Sequence, residues 1–146
     1  MKRILTILTV LSSLISFAQD LNWETDLQTA INKANQNDKN ILVYFTGSDW
    51  CSPCKQLKAD FFENDQFLAQ ADKVILLKID LPFRQDIITE EQRAKNKKVN
   101  EKYNKANSFP TLVALNKKGK EIDRIAAYSS LRDTTLHFQF LNRIIK

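Results

Sequence analysis

Apolar residues change period several times along this chain, and each change marks an element. Trp23, Leu27, Ala30, Ile31 and Ala34 recur at helical spacing, which predicts an amphipathic helix. The polar stretch Asn35 to Asn40 turns the chain. Ile41-Leu42-Val43-Tyr44-Phe45 is then a continuous run of strand formers, as in a central strand covered on both faces. Thr46-Gly47-Ser48-Asp49 breaks that run, and a helical pattern follows through about Phe62, with Leu57 and Phe61 on one face. Pro53 fits that helix only in its first turn, where a missing N–H has no internal use.

Val74 to Ile79 is a second buried-type strand, closed by Asp80-Leu81-Pro82. Thr89-Glu90-Glu91-Gln92 has the form of a capping box. The helix it opens is polar and offers only Ala94, Val99, Tyr103 and Ala106 for packing. Pro110 precedes a third strand, Thr111 to Leu115. Asn116-Lys117-Lys118-Gly119 reads as a hairpin turn, and Glu121 to Ala127 alternates like an antiparallel edge strand. Ser129 or Ser130 is placed to cap a last helix that carries Phe138, Leu141 and Ile145. The fold class is therefore α/β, with a central mixed sheet of about four to five strands flanked by helices. Strands separated by helices run parallel through right-handed crossovers, and the final hairpin adds antiparallel strands. The end of the first central strand is where open α/β sheets usually place function.

Composition adds the compartment. The chain has 146 residues, 43% of them hydrophobic, with nine Phe but only two Gly and three Pro. That suits one globular domain without linkers. Its start stands apart. Lys2 and Arg3 precede an apolar stretch, Ile4 to Phe17, and Ser16-Phe17-Ala18 is a small-x-small end. This is the pattern of a signal peptide over 1–18 with cleavage after Ala18, leaving a single domain over 19–146. The stretch is short of the ~20 residues a spanning helix needs. An uncleaved anchor is the other reading. Export implies a periplasmic or secreted protein, no stable membrane insertion after cleavage, and an oxidising surrounding.

Charge excludes little but helps. The net charge of +5 falls to +3 once Lys2 and Arg3 are removed. The densest basic run, Lys95 to Lys105, has Glu91 and Glu101 four residues before its ends. That suits a solvated, ion-paired helix face rather than a nucleic-acid surface.

The chemistry lies in Trp50-Cys51-Ser52-Pro53-Cys54-Lys55, which holds both cysteines of the chain. A Cys-x-x-Cys pair after an apolar run is the form of a reversible dithiol/disulfide site. As a structural staple it would do little, because so short a loop removes little unfolded-state entropy, roughly 2 kcal/mol. Exchange needs a thiolate, and a free thiol with a pKa near ~8.5 is only a few per cent ionised at neutral pH. Cys51 sits where loop becomes helix, so free N–H groups and the helix dipole favour its anion. Lys55 adds a cation one turn on and supports the thiolate. Cys54 lies a turn deeper and less exposed. Cys51 is thus the expected nucleophile and Cys54 the resolving sulfur. Trp50 either offers a flat apolar surface to a substrate or fills the core. Zinc wants four ligands, whereas the chain supplies two Cys and a lone His137, itself expected at the surface or in helix packing.

Phe45-Thr46-Gly47-Ser48-Asp49-Trp50-Cys51-Ser52-Pro53-Cys54-Lys55, with Ser108-Phe109-Pro110-Thr111-Leu112-Val113 downstream, resembles the thioredoxin superfamily. It is most similar to secreted bacterial thioredoxin-like proteins and to the C-terminal domain of the bacterial transmembrane disulfide reductase, over about residues 23–145. The resemblance implies a thioredoxin-like fold and a cis Phe109–Pro110 bond packed against the cysteines. Phe109 and Pro110, with Trp50, would then bind the substrate strand. It also implies a thiol–disulfide oxidoreductase for protein substrates, weakly favoured as a reductase. Such a protein needs no organic cofactor and no metal, and a membrane protein would donate or accept its electrons. A non-catalytic peptide-binding module or chaperone on the same fold is the alternative. Two departures stand out. Tyr44 occupies the place of the buried acid that thioredoxin uses to manage the second cysteine's proton, while Asp49, nearby, should be exposed. The segment Phe83 to Lys98 is longer than the family minimum, read as a solvated insertion before a partner contact.

Overall fold

The structure is a computed structural model, and it describes residues 21–145. The N-terminal segment read as a signal peptide lies outside them. The elements run β1 (Trp23–Glu24), α1 (Leu27–Asn37), β2 (Asn40–Thr46), α2 (Ser52–Leu57), α3 (Asp65–Leu68), β3 (Val74–Asp80), α4 (Glu90–Tyr103), β4 (Thr111–Leu115), β5 (Glu121–Ala126) and α5 (Thr135–Ile144). A π-helical turn, Lys58–Phe62, extends α2, and a 3-10 turn, Ala71–Lys73, leads into β3.

The strands form one mixed sheet in the order β1-β3-β2-β4-β5. β3 runs parallel to both β1 and β2, and β4 runs antiparallel to β2 and β5. All seven residues of β2 are buried, because the sheet is covered on both faces. Leu42 and Tyr44 join Leu76, Leu112 and Ala114 in a core with α2, the π turn and α5. Ile41, Val43 and Phe45 join Leu77, Ile79, Val113 and Leu115 under α1 and Tyr103 of α4. Each fully buried side chain of this size contributes roughly 1.5–3 kcal/mol. The adjacent Phe61 and Phe62 both bury in the π turn and contact Phe67 edge-on or tilted.

Several boundaries depart from the sequence reading. Trp23 is in a strand, not in the first helix, which starts at Leu27 with Asp26 as its cap, its side chain accepting from the Thr29 N–H at 2.8 Å. Ala94 and Ala106 are exposed, so Tyr103 and half-buried Val99 pack α4. The capping box is half formed. Thr89 Oγ1 accepts from Gln92 N–H at 3.1 Å, but the Gln92 amide donates to Thr25 O and Asn96 Oδ1 instead. Glu91 pairs with Lys95 at 2.8 Å, whereas Lys105 lies beyond the end of α4. Neither Ser129 nor Ser130 caps α5, because it begins at Thr135, whose N–H donates to the Asp133 carboxylate at 2.9 Å. The hairpin turn forms as expected. Gly119 N–H donates to Asn116 O at 2.9 Å, and Gly119 takes φ +76°, a conformation that favours glycine.

Candidate active site

The chain leaves β2 at Thr46 and turns sharply through Gly47, whose carbonyl accepts from Trp50 N–H at 3.3 Å and Cys51 N–H at 2.9 Å. That turn sets Cys51 at the cap of α2. Its sulfur accepts from the Cys54 N–H at 3.3 Å, and Pro53 lies in the first helical turn. The two sulfurs are bonded at 2.01 Å, with α-carbons 5.2 Å apart, as the close spacing allows. The Phe109–Pro110 bond is cis, and Pro110 is buried.

Both cysteines are buried, Cys51 at 2% exposure and Cys54 at 1%. The expected contrast between an open and a covered sulfur is therefore missing in this oxidised form. Burial follows from the helix start being packed into the core that α2 shares with β2. What distinguishes the two sulfurs is position: Cys51 occupies the cap, where a backbone N–H points at its sulfur, and Cys54 lies within the helix. Lys55 is exposed, and its ammonium donates to the Asp49 carbonyl at 3.2 Å.

Tyr44 lies behind Cys54. Its hydroxyl donates to the Cys54 carbonyl at 2.9 Å. Burial pushes its pKa up to about 12, with the Asp80 charge adding to the rise and a Thr46 hydrogen bond opposing it. A cavity of about 490 Å³ opens beside it, lined by Trp23, Tyr44, Cys54, Phe62 and Lys78 among others. A buried acid does occur at this end of the sheet, but it is Asp80, whose carboxylate accepts from the Ser48 N–H at 2.9 Å. Among the described residues no group of His, Cys, Asp and Glu could hold a metal ion. His137 is buried in α5 against Tyr128 and Phe61.

Trp50 is half-exposed. Its indole N–H donates to Leu81 O at 2.9 Å, and its ring packs across Gly47, where an added β-carbon would overlap ring atoms Cε2, Nε1 and Cζ2. The ring stacks on Phe83 at 4.9 Å and meets Phe109 edge-on at 5.4 Å. Sequence reasoning placed Trp50, Phe109 and Pro110 at the site; the structure brings Trp50 and Phe109 into ring contact, with Pro110 next in the chain and buried. It missed Phe83, for which strand periodicity carries no signal beyond its place just after β3. It also missed Asp49, half-buried rather than exposed, whose two carboxylate oxygens accept from Phe83 N–H at 3.0 Å and Arg84 N–H at 2.9 Å. Desolvation works hardest against ionising Asp49, yet these backbone donors together hold its carboxyl below the ordinary range.

The comparisons agree with this geometry. Over 109 residues the chain is 32% identical to the disulfide bond reductase DsbH of Chlamydia pneumoniae, covering 74% of this chain and 64% of that one. It is 29% identical over 122 residues to the thioredoxin-related protein DsbJ of the same organism, covering 79% of this chain and 34% of that one. The matched stretch thus spans less than two thirds of either relative's length. A solved DsbH oxidoreductase superposes with a TM-score of 0.68 at 29% identity, covering 76% of each chain. Residues 27–140 match the thioredoxin-like domain family, and the chain belongs to that family.

Proposed function

We propose that this chain is an exported thiol–disulfide oxidoreductase for protein substrates, with Cys51 as the attacking sulfur and Cys54 as the resolving one. The observation that carries the reading is the Cys51–Cys54 couple at the start of α2, its first sulfur hydrogen-bonded by the Cys54 N–H. That donor, and the helix end it belongs to, stabilise a thiolate at Cys51 once the pair is reduced.

In the reducing direction, the Cys51 thiolate attacks one sulfur of a substrate disulfide. The substrate S–S bond breaks, and the departing sulfur leaves as a thiolate that takes a proton from solvent. A mixed disulfide joins Cys51 to the other substrate sulfur. Cys54 then gives up its proton and attacks Cys51 Sγ, releasing the second substrate thiolate, which is protonated in turn. The substrate gains two electrons and two protons, and the protein is left with the closed disulfide. A dithiol reductant must restore it, and in an oxidising compartment that reductant is a membrane electron donor. The export segment 1–18 supports the periplasmic or secreted location. Trp50, Phe109 and Pro110 form the substrate surface. Among the described residues none hydrogen-bonds the Phe109 N–H or C=O, which leaves that backbone open for strand-like pairing with a peptide.

Reduction of insulin by dithiothreitol tests the reading. The protein should accelerate insulin precipitation, and Cys51→Ser should abolish the acceleration. Equal rates for the two would overturn it. The 2% exposure of Cys51 favours a second reading, a peptide-binding module that does not turn over, and the same assay separates the two. Titration of the couple against glutathione gives the direction of electron flow.

A further inference from the structure

We infer that Phe83 is a substrate-selecting residue: it offers a fixed aromatic face, beside the redox pair, to an aromatic or branched apolar side chain next to the substrate's reactive cysteine. This rests on the oxidoreductase reading and names the substrate class of that same site.

Phe83 is 75% exposed. A single exposed apolar side chain is ordinary, but Phe83 joins exposed Trp50 and half-buried Phe109 in one contiguous aromatic patch beside the site, and such a patch marks recognition. The ring is also held in place. Its own N–H and that of Arg84 donate to the two oxygens of Asp49. The Arg93 guanidinium donates to Pro82 O at 2.6 Å and Arg84 O at 2.9 Å. So anchored, the ring lies nearly parallel to Trp50, with 15° between the planes. Trp50 in turn contacts Phe109. Three rings from three separate loops therefore make one row, with Trp50, the residue before Cys51, in the middle and Phe83 and Phe109 against it.

The occupant follows from continuity and charge. A polypeptide whose sulfur bonds to Cys51 passes Trp50 within a residue or two, since a residue of extended chain spans about 3.3 Å and Phe83 is one stacking distance further. The charges around Phe83 are already engaged: Asp49 by two N–H groups, Arg84 by its ion pair with Asp86, and Lys55, on the Cys51 side, by the Asp49 carbonyl. Because the rings are ordered before binding, little conformational entropy is lost on contact.

The experiment uses two peptides, each with one intramolecular disulfide, differing only in Phe or Ser beside the first cysteine. The reduced mature protein should reduce the Phe peptide about tenfold faster in kcat/KM. Phe83→Ser should bring the ratio to within about twofold, and Phe83→Leu should keep most of it. The Cys51→Ser/Cys54→Ser protein should bind the Phe peptide more tightly than the Ser peptide, again only with Phe83 present. Turnover of both peptides at one ratio, unchanged by Phe83→Ser, overturns the inference and leaves the oxidoreductase reading standing. Phe83-dependent binding without turnover supports this surface and overturns the oxidoreductase reading. Self-association that Phe83→Ser abolishes, with no effect on peptide selection, makes the surface a contact between copies and overturns the inference.

Discussion

The indole of Trp50 packs so closely on Gly47 that no methyl group fits between them. Gly47 is therefore required by close approach rather than by its torsions, since among the described glycines only Gly119 has positive φ. The ring that this contact supports also donates to Leu81 O and stacks on Phe83. Gly47→Ala should push the indole off all three contacts. We expect a loss of about 1–3 kcal/mol in stability, typical of overpacking, and slower insulin reduction. Tryptophan emission in a Trp23→Phe background would report the displaced ring. Unchanged emission and melting temperature would refute the steric account.

The sequence resemblance puts Tyr44 in the place of thioredoxin's buried acid, and its protonation state decides whether it can replace that acid. With its pKa pushed up to about 12, mainly by burial, it is neutral at any working pH and cannot take the Cys54 proton. Its part is structural: it holds the Cys54 carbonyl, which also accepts the Lys58 N–H of the helix. Tyr44→Phe should therefore cost about 0.5–1.5 kcal/mol of stability and leave the shape of the pH–rate profile intact. The check is the rate of disulfide exchange from pH 5 to 9 for both proteins. A shifted profile would place the phenol in the proton path.

The parts of this fold that sequence made legible are those fixed by local rules. The uninterrupted β2 run shows double-sided burial, the Cys-x-x-Cys shows its own disulfide, and Asn116 to Gly119 shows its turn. What escaped is defined by partners distant in the chain. β1 is two residues long and exists only through its pairing with Leu76 and Leu77 of β3, so helical spacing absorbed Trp23 wrongly. The start of α5 depends on Asp133 rather than on the serines before it, because Tyr128 and Arg132 are tied back to Asp60 of the π turn. The burial of Cys51 depends on how tightly α2 seats on the sheet, which no motif encodes. Phe83 reads in sequence as the edge of a polar insertion. Its role needs Asp49, from a loop more than thirty residues earlier, to fix its backbone.

That anchor gives a prediction of its own. The Asp49 carboxylate is the acceptor for both the Phe83 and Arg84 amides. Asp49→Ala should leave the sheet intact but free the loop after β3, so these two amides should exchange with solvent at least about tenfold faster, while β2 amides keep their protection. The same variant should weaken discrimination between the Phe and Ser peptides. Unchanged exchange at Phe83 would mean that stacking on Trp50 alone holds the ring.

His137 is the chain's single histidine, so its titration can be isolated. It is buried against Tyr128 and Phe61, and its Nδ1 finds no hydrogen-bond partner among the described residues. Burial lowers its pKa below the ordinary 6.5, with the Asp133 carboxylate opposing. The unfolded chain therefore binds the proton first as pH falls, and the folded state is stabilised above the unfolded value near ~6.5 and loses that stability below it. The flanking Asp60 titrates far lower, held at about 2 by the Arg132 and Tyr128 hydrogen bonds, so it contributes nothing between pH 7 and 5. Urea unfolding should show stability falling over that interval in the wild type. His137→Phe should flatten the slope, whatever the new packing does to the absolute stability. Carbon-bound proton NMR of the imidazole should place its midpoint below 6.5, and a midpoint above that value would mean the charged ring is accommodated and reverse the predicted slope.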